Sequence, residues 1–347
     1  MPDEKSLLRE NESLKLEIKK LKSRKKYGLV WEDKPEAVVE LCKDELPVLF
    51  EDVKKEIIRD KNKPVNVLIE GDNYHALSVL NYTHKGKIDV IYVDPPYNTG
   101  NKSWKYNNNF VDKEDAFRHS KWISFVSKRI KLAKDLLKND GIFIMTIDDY
   151  EIGALRLILD EIFGEQNRLG LVTIMHNPRG RSDDKYFATA HEYALFYGKN
   201  FNLVKTEKLA LTEEQIKLFK LEDEVSFYRL LPLKRTGSNS TPNERANLYF
   251  PIYYNESTQE ISVDAVRGKE WKEIIPLDSG GNKRVWRWGK EKIRKEWKTE
   301  IVVKRVKNNW QVFGKDRIKA GRKPKTVWVD PRYDASSHGT MLLQNLL

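Results

Sequence analysis

The run Ile88 to Val93 (IDVIYV) is apolar and rich in β-branched residues, and it is followed at once by Asp94-Pro95-Pro96-Tyr97-Asn98-Thr99-Gly100. Such a run reads as a buried strand, and the two prolines fix where it must stop. Neither can donate an N–H to a ladder, and Pro96 keeps Pro95 out of the helical region. The strand therefore ends in a stiff turn displaying a carboxylate and an aromatic ring. In open α/β sheets, ligands bind in the crevice beyond the carboxyl ends of the strands, which makes Asp94 and Tyr97 the first candidate site residues. A plain strand-terminating turn, with a solvated Asp and a packed Tyr, is the competing reading.

The flanking segments alternate between strand and helix patterns. Residues 65–69 (VNVLI) predict a strand that turns through Glu70-Gly71-Asp72-Asn73 into a helix carrying Ala76, Leu77 and Leu80. Asp72 can cap that helix or contact a ligand from the strand end. Residues 101–110 (NKSWKYNNNF) lack periodicity and read as a loop over the crevice, of the kind that often gates a site. Residues 116–137 then predict a helix with Ile123, Val126, Ile130, Ala133 and Leu137 on one face, stopped by Asn139-Asp140-Gly141. Residues 141–147 (GIFIMTI) read as a buried strand. Asp148-Asp149 open a further helix, with Ile152, Leu155, Leu159 and Ile162 at helical spacing and Gly164 as its stop. Two more strands are expected at 169–175 and 193–197. This alternation implies βαβ units and a mainly parallel sheet, that is, an α/β fold.

Outside this region the texture changes. Residues 6–26 predict an amphipathic helix with Leu7, Leu14 and Leu21 at heptad spacing and Ile18 alongside, either packed on its own domain or in a short coiled coil. Residues 27–64 form a connector, with a helix and turn expected across 53–64. From about 203 a charged helix (212–225) gives way to short segments punctuated by Pro, Gly and Ser, the pattern of an irregular β-rich domain. The expected organisation is an N-terminal helix and connector (1–64), an α/β catalytic region (65–202) and a basic region (203–347).

The net charge is +11, and residues 265–330 alone hold 20 Lys and Arg against 8 Asp and Glu. Concentrated positive charge is the footprint of a polyanion-binding surface. Trp271, Trp286, Trp288, Trp297, Trp310 and Trp328 are interleaved with these cations, and either stack on exposed bases or form the core of a loop-rich domain. Cys42 is the only cysteine, so no intrachain disulfide or thiolate zinc cluster is possible, and the 6 histidines show no ligand spacing. No metal is expected. The N-terminus has no apolar leader and no run spans a bilayer, so a cytoplasmic location with no membrane partner is expected.

The Asp94-Pro95-Pro96-Tyr97 loop resembles the D/N/S-P-P-Y/F/W motif of the DNA amino-methyltransferases. The resemblance extends to KYGLVWEDKPE (26–36), LIEGDNYHALSVLNYTHKGKIDVIYVDPPYNTGN (68–101), FRHSKWISF (117–125), NPRG (177–180), HEYALFY (191–197) and the late W-x-D-P-x-Y…HGT segment (328–340). These are similar to the Mod subunits of type III restriction-modification systems and cover nearly the whole chain. The resemblance implies a partial Rossmann-like methyltransferase sheet and a C-terminal target-recognition region. It also implies S-adenosylmethionine-dependent methylation of adenine N6 in double-stranded DNA, with self-association or a restriction subunit as partner. On that resemblance the catalytic residues are Asp94, Pro95, Pro96 and Tyr97, and the cofactor contacts are Asp72, Asp94 and Asn98.

The same resemblance implies an F-x-G-x-G cofactor loop, yet none of the 18 glycines lies two positions from another. The chain ends at HGTMLLQNLL, which in the family precedes that loop, so either truncation before the cofactor motif or a cofactor half on another polypeptide is expected. A non-catalytic DNA-binding fragment and an amino-methyltransferase acting on cytosine N4 or RNA are the alternatives.

Overall fold

The computed structural model describes residues 11–16, 33–56, 63–107, 109–180, 185–334 and 336–346. The chain divides into two compact units, Met1–Thr206 with Lys325–Leu347, and Glu207–Pro324. The sequence reading places a boundary near residue 203; the first unit runs to Thr206 and takes in the last segment, Lys325–Leu347, in place of the basic region.

In the first unit, helices α1 (Ala37–Asp44) and α2 (Asn73–Thr83) precede strand β1 (Ile88–Val93) and the hairpin β2 (Asn101–Tyr106) and β3 (Asn109–Asp112). Helix α3 (Arg118–Leu136), strand β4 (Leu137–Ile147), helix α4 (Ile152–Phe163), and strands β5 (Arg168–Ile174) and β6 (Glu192–Gly198) follow. The main sheet has the order β1-β4-β6-β5 and is completed by the short strand Val327–Trp328. β1 runs parallel to β4, and β5 runs parallel to Val327–Trp328, whereas β6 is antiparallel to both of its neighbours. The unit is α/β as expected, and its sheet is mainly parallel, four of the five strands pointing the same way and β6 alone running against them. The physical reason lies between β5 and β6, where residues 175–191 contain no helix among those described to carry the chain back for a parallel crossover.

The core follows from the periodicities. One face of α3 (Trp122, Ile123, Val126, Ile130, Ala133) meets Leu155, Ile158, Leu159 and Phe163 of α4 and the inward residues Phe143, Met145, Ile147, Leu195 and Tyr197 of the sheet. α4 ends at Gly164, whose φ of +92° only glycine adopts without strain. α3 ends at Leu136, ahead of the expected Asn139-Asp140-Gly141 stop, because Leu137 already joins the ladder opposite Ile88.

Three expectations are corrected. Residues 65–69 form no strand, and Val65, Val67 and Leu68 are largely exposed. A strand exists only with a ladder partner, and β1, the sheet edge, pairs with β4 alone. Residues 101–110 are not an irregular loop: Trp104, Tyr106 and Val111 are buried in an antiparallel hairpin, and Asn107 at φ +48° turns it. The 212–225 helix is reduced to one turn (Glu213–Ile216) with a capping box from Thr212 and Gln215, because Leu221–Glu222 leaves it to pair with the next strand. At the N-terminus residues 11–16 are helical with Leu14 exposed, while Leu7, Ile18 and Leu21 lie outside the described residues. Residues 53–55 form a single 3-10 turn, and 57–62 are likewise outside.

The second unit is β-rich. Its four-stranded antiparallel sheet contains β7 (Leu221–Glu222), β8 (Phe227–Pro232) and two later strands, β12 (Ile301–Val306) and β13 (Asn309–Arg317). A three-stranded sheet contains β9 (Ile252–Asn255), β10 (Ile261–Ser262) and β11 (Trp271–Ile274), and helix α5 (Lys290–Glu300) leads into β12. Trp286 is buried, its Nε1 donating to the Phe250 carbonyl at 2.8 Å, and Trp288, Trp297 and Trp310 pack around the same core. Trp328 belongs to the first unit, stacked on Tyr333. Most of these tryptophans therefore build structure. Several cations of the basic block pair internally, as Arg317 does with Asp223 and Glu300, and Arg284 with Asp278. Lys295, Lys298, Lys304, Arg305 and Lys307 stand exposed on α5 and the β12–β13 hairpin.

Candidate active site

Asp94 leaves the carboxyl end of β1 with its side chain exposed. Its Oδ1 accepts from Thr146 Oγ at 2.8 Å. β1 and β4 pair in register up to Val93 and Met145, so the next residue of β4, Thr146, stands beside Asp94. Thr146 is 2% exposed. A buried hydroxyl thus fixes one carboxylate oxygen and leaves the carboxylate facing outward. Thr146 was legible only as the last hydroxyl of GIFIMTI, and its role emerges from the register of two strands.

The loop beyond is held from several sides. Trp122, on the first turns of α3, donates Nε1–H to the Pro96 carbonyl at 2.7 Å. This bond anchors the loop at Pro96. The Tyr97 ring packs against the core, and its hydroxyl donates to Glu192 Oε2 at 3.1 Å at the start of β6. Burial, above all, pushes the Tyr97 phenol far up, with the Glu192 and Asp94 charges adding to it. Tyr97 is therefore a neutral donor and packing surface, never a base. Glu192 carries no local sequence signal for this role.

The residues expected at the cofactor do not converge equally. Asn98 is completely buried, its Nδ2 donating to Glu151 at 2.5 Å and its Oδ1 accepting from Trp104 at 3.1 Å. Both ends of its amide are committed within the protein. Asp72 caps α2 through the Tyr74 N–H at 2.8 Å and lies 3.4 Å from the Arg129 guanidinium. Of the three, only Asp94 offers an exposed carboxylate anchored by a buried hydroxyl. Asp148 and Asp149 do not open the helix as expected: α4 begins at Ile152 with Glu151 at its N-cap, and the buried Asp148 accepts from the Tyr150 N–H in the turn before it. Among the described residues no group of three or more His, Cys, Asp or Glu side chains converges as a metal site would, and no helix is long and apolar enough to cross a membrane.

An anchored carboxylate and a half-buried ring thus stand together at the carboxyl end of a sheet strand in an α/β unit, the place where open α/β sheets bind their ligands. Residues 88–340 match the DNA methylase profile shared by N6 and N4 methyltransferases, and the chain belongs to that family. It is 30% identical over 355 residues to the Mod subunit of the type III restriction-modification enzyme EcoPI of Escherichia phage P1, covering 94% of this chain and 55% of that one. It is 34% identical over 268 residues to the type II methyltransferase M.KpnI of Klebsiella pneumoniae, covering 76% and 62%. The chain thus spans between about half and two-thirds of these relatives' length. Among solved structures, the cytosine-N4-specific PvuII DNA methyltransferase overlaps at TM-score 0.27 and 16% identity, covering 36% of this chain and 47% of that one. The M1.HpyAVI–SAM complex overlaps at TM-score 0.27 and 15% identity, covering 41% and 60%.

Proposed function

We propose that the Asp94–Tyr97 loop orients the exocyclic amine of a DNA base, adenine N6 in the first instance, for methylation as the modification arm of a restriction-modification system. The observation that carries this reading is the Asp94 carboxylate, exposed at the strand end and aimed by the buried Thr146 hydroxyl. An adenine amine is a poor nucleophile because its lone pair is delocalised into the ring. Acceptors on both of its N–H bonds draw the nitrogen toward tetrahedral geometry, and here the Asp94 carboxylate and Pro95 carbonyl would be those acceptors. Holding the amine in line with the methyl group supplies the orientation. A base in a duplex is out of reach of such a loop and must be flipped out, and the Tyr97 ring offers it a stacking face.

The methyl donor would be S-adenosylmethionine, which supplies a sulfonium methyl group. Asn98 and Asp72 are committed to protein partners, so these residues do not by themselves form a seat for it. The exposed cations of α5 and the β12–β13 hairpin would meet the phosphates of double-stranded DNA. The EcoPI Mod subunit belongs to a restriction-modification enzyme, and a restriction subunit or a second copy is the corresponding partner for this chain, in a reducing cytoplasm.

Labelled S-adenosylmethionine and unmethylated DNA, incubated with the chain alone and together with a longer relative, test this reading. The expected product after digestion is N6-methyladenine that depends on Asp94. N4-methylcytosine would move the same chemistry to the other amine. DNA binding with no incorporation in either mixture would leave a non-catalytic DNA-binding protein.

A further inference from the structure

The chain leaves Tyr97 through Asn98, which sits at φ +56°, in the left-handed region that a non-glycine residue adopts only when its surroundings hold it there. Its own amide does the holding, through Glu151 Oε1 at 2.5 Å on one side and Trp104 Nε1 at 3.1 Å on the other. The same Glu151 oxygen also meets His119 Nδ1 at 2.5 Å. His119 Nε2 accepts from Arg118 Nε at 3.1 Å. A ring nitrogen that accepts carries no proton, so this arrangement puts the imidazole proton on Nδ1, facing the carboxylate.

Glu151 is 1% exposed, although it stands at the N-cap position of α4, where a carboxylate is usually served by water and by its own helix. It makes no capping hydrogen bond there. Burial of a carboxylate is costly unless its oxygens are satisfied, and here one oxygen is satisfied by the loop and by α3. Four pieces of structure therefore meet at one carboxylate: the catalytic loop through Asn98, β2 through Trp104 by way of Asn98, α3 through His119, and α4 through Glu151 itself. His119 and Trp122 are three apart on α3 and share a face of the helix. That face grips the loop twice, at the Pro96 carbonyl and, through Glu151, at Asn98.

We infer that Glu151 is a positioning residue for the Asp94–Tyr97 loop, holding Asn98 left-handed and so setting the direction in which the Asp94 carboxylate and Tyr97 ring face the target base. This rests on the methyltransferase reading of that loop. Glu151 touches neither base nor methyl donor, and its effect passes through Asn98.

The test uses the full chain with ¹⁵N-labelled tryptophan and the variants Glu151→Ala, Glu151→Gln and Asn98→Gly. The indole N–H of Trp104 reports the node, that of Trp122 reports the loop at Pro96, and that of Trp286, bonded to Phe250 in the other unit, is the control. In Glu151→Ala the Trp104 indole is expected to exchange with solvent at least about tenfold faster, with Trp122 following and Trp286 unchanged. Methyl transfer is expected to lose about tenfold or more in kcat with KM for DNA within about twofold. Glu151→Gln keeps an acceptor in place and is expected to restore most of both readouts. Asn98→Gly adopts the same φ without a side chain to latch and covers the case in which Glu151→Ala does not fold. It is expected to free Trp104 and lower kcat. Unchanged Trp104 and Trp122 exchange, a Gln variant as impaired as the Ala variant, or wild-type kcat in Asn98→Gly would each overturn the inference. A wild-type chain that methylates no DNA in either mixture refutes the methyltransferase reading instead, and indole exchange alone then decides whether Glu151 holds the loop.

Discussion

Glu36 and Arg129 are 93 residues apart and join the segment before α1 to the middle of α3. The guanidinium makes two hydrogen bonds to the carboxylate, Nη2 to Oε1 at 2.7 Å and Nη1 to Oε2 at 3.1 Å. The two side chains are 5% and 9% exposed, and the guanidinium lies 3.7 Å from the Phe125 ring centroid. Glu36→Ala would leave this cation buried, with Asp72 at 3.4 Å and 43% exposed as its remaining acid. Removing one partner of a buried pair costs about 3–5 kcal/mol, and with Asp72 and admitted water compensating in part the expected loss is about 3 kcal/mol. Glu36→Gln keeps an acceptor without the charge and should cost about 1.5–2 kcal/mol. Glu36→Leu combined with Arg129→Met removes both charges and should fall within about 1 kcal/mol of the wild type. Native-state hydrogen exchange across α3, read with urea melts, measures these values, and a 3 kcal/mol loss appears as roughly 100-fold faster exchange through opening. A Glu36→Ala cost below about 1 kcal/mol, or a double variant as unstable as Glu36→Ala, would refute the burial argument.

Trp122→Phe keeps an aromatic ring but strands the Pro96 carbonyl, a loss of about 1–3 kcal/mol, visible as faster amide exchange or proteolysis across residues 94–100. Tyr97→Phe removes only the donor to Glu192 and should lower methyl transfer by less than about tenfold, whereas Tyr97→Ala should cost more by removing the ring. Because burial keeps the Tyr97 phenol protonated far above its ordinary value, the pH–rate profile of wild type and Tyr97→Phe should share the same alkaline limb through pH about 10. In the second unit, Arg317 first and Lys315 second hold the Asp223 carboxyl well below its ordinary 3.8. A depressed folded-state value gives stability that is fully present above the ordinary carboxylate range and lost as pH falls below it. Thermal melts should show this loss below pH about 4, and Asp223→Asn, already weakened at neutral pH, should show a flatter acid limb.

What was legible in the sequence was what local chemistry decides. The strand IDVIYV and its Pro-Pro stop, the apolar faces of α3 and α4, and Gly164 as a helix end all depend on neighbours within a few residues, whereas the burial expected of that strand fails, because β1 lies at the sheet edge and leaves Val90 and Tyr92 exposed. VNVLI has the composition of a strand, but β-branching cannot supply a ladder partner, and at the edge of this sheet none is paired with it. Trp104 and Tyr106 alternate with polar residues, a period-two signal that the run of asparagines obscured, although Asn107 is itself the turn residue. The site divides in the same way. Asp94 and Tyr97 stand out in the chain, whereas Thr146, Glu192, His119 and Glu151 come together around the loop only when β4, β6, α3 and α4 meet at one end of the strands. Asn98, expected at the cofactor, is completely buried, with both ends of its amide bonded to Glu151 and Trp104.

The most direct test of the account is single-turnover methyl transfer by Asp94→Ala, measured with DNA affinity alongside. If this carboxylate orients the amine, transfer should fall by about 10²–10³-fold while DNA binding stays within about twofold of the wild type. Asp94→Asn, which keeps an acceptor oxygen toward the base, should lie in between. An Asp94→Ala chain that transfers methyl groups at the wild-type rate would contradict the account.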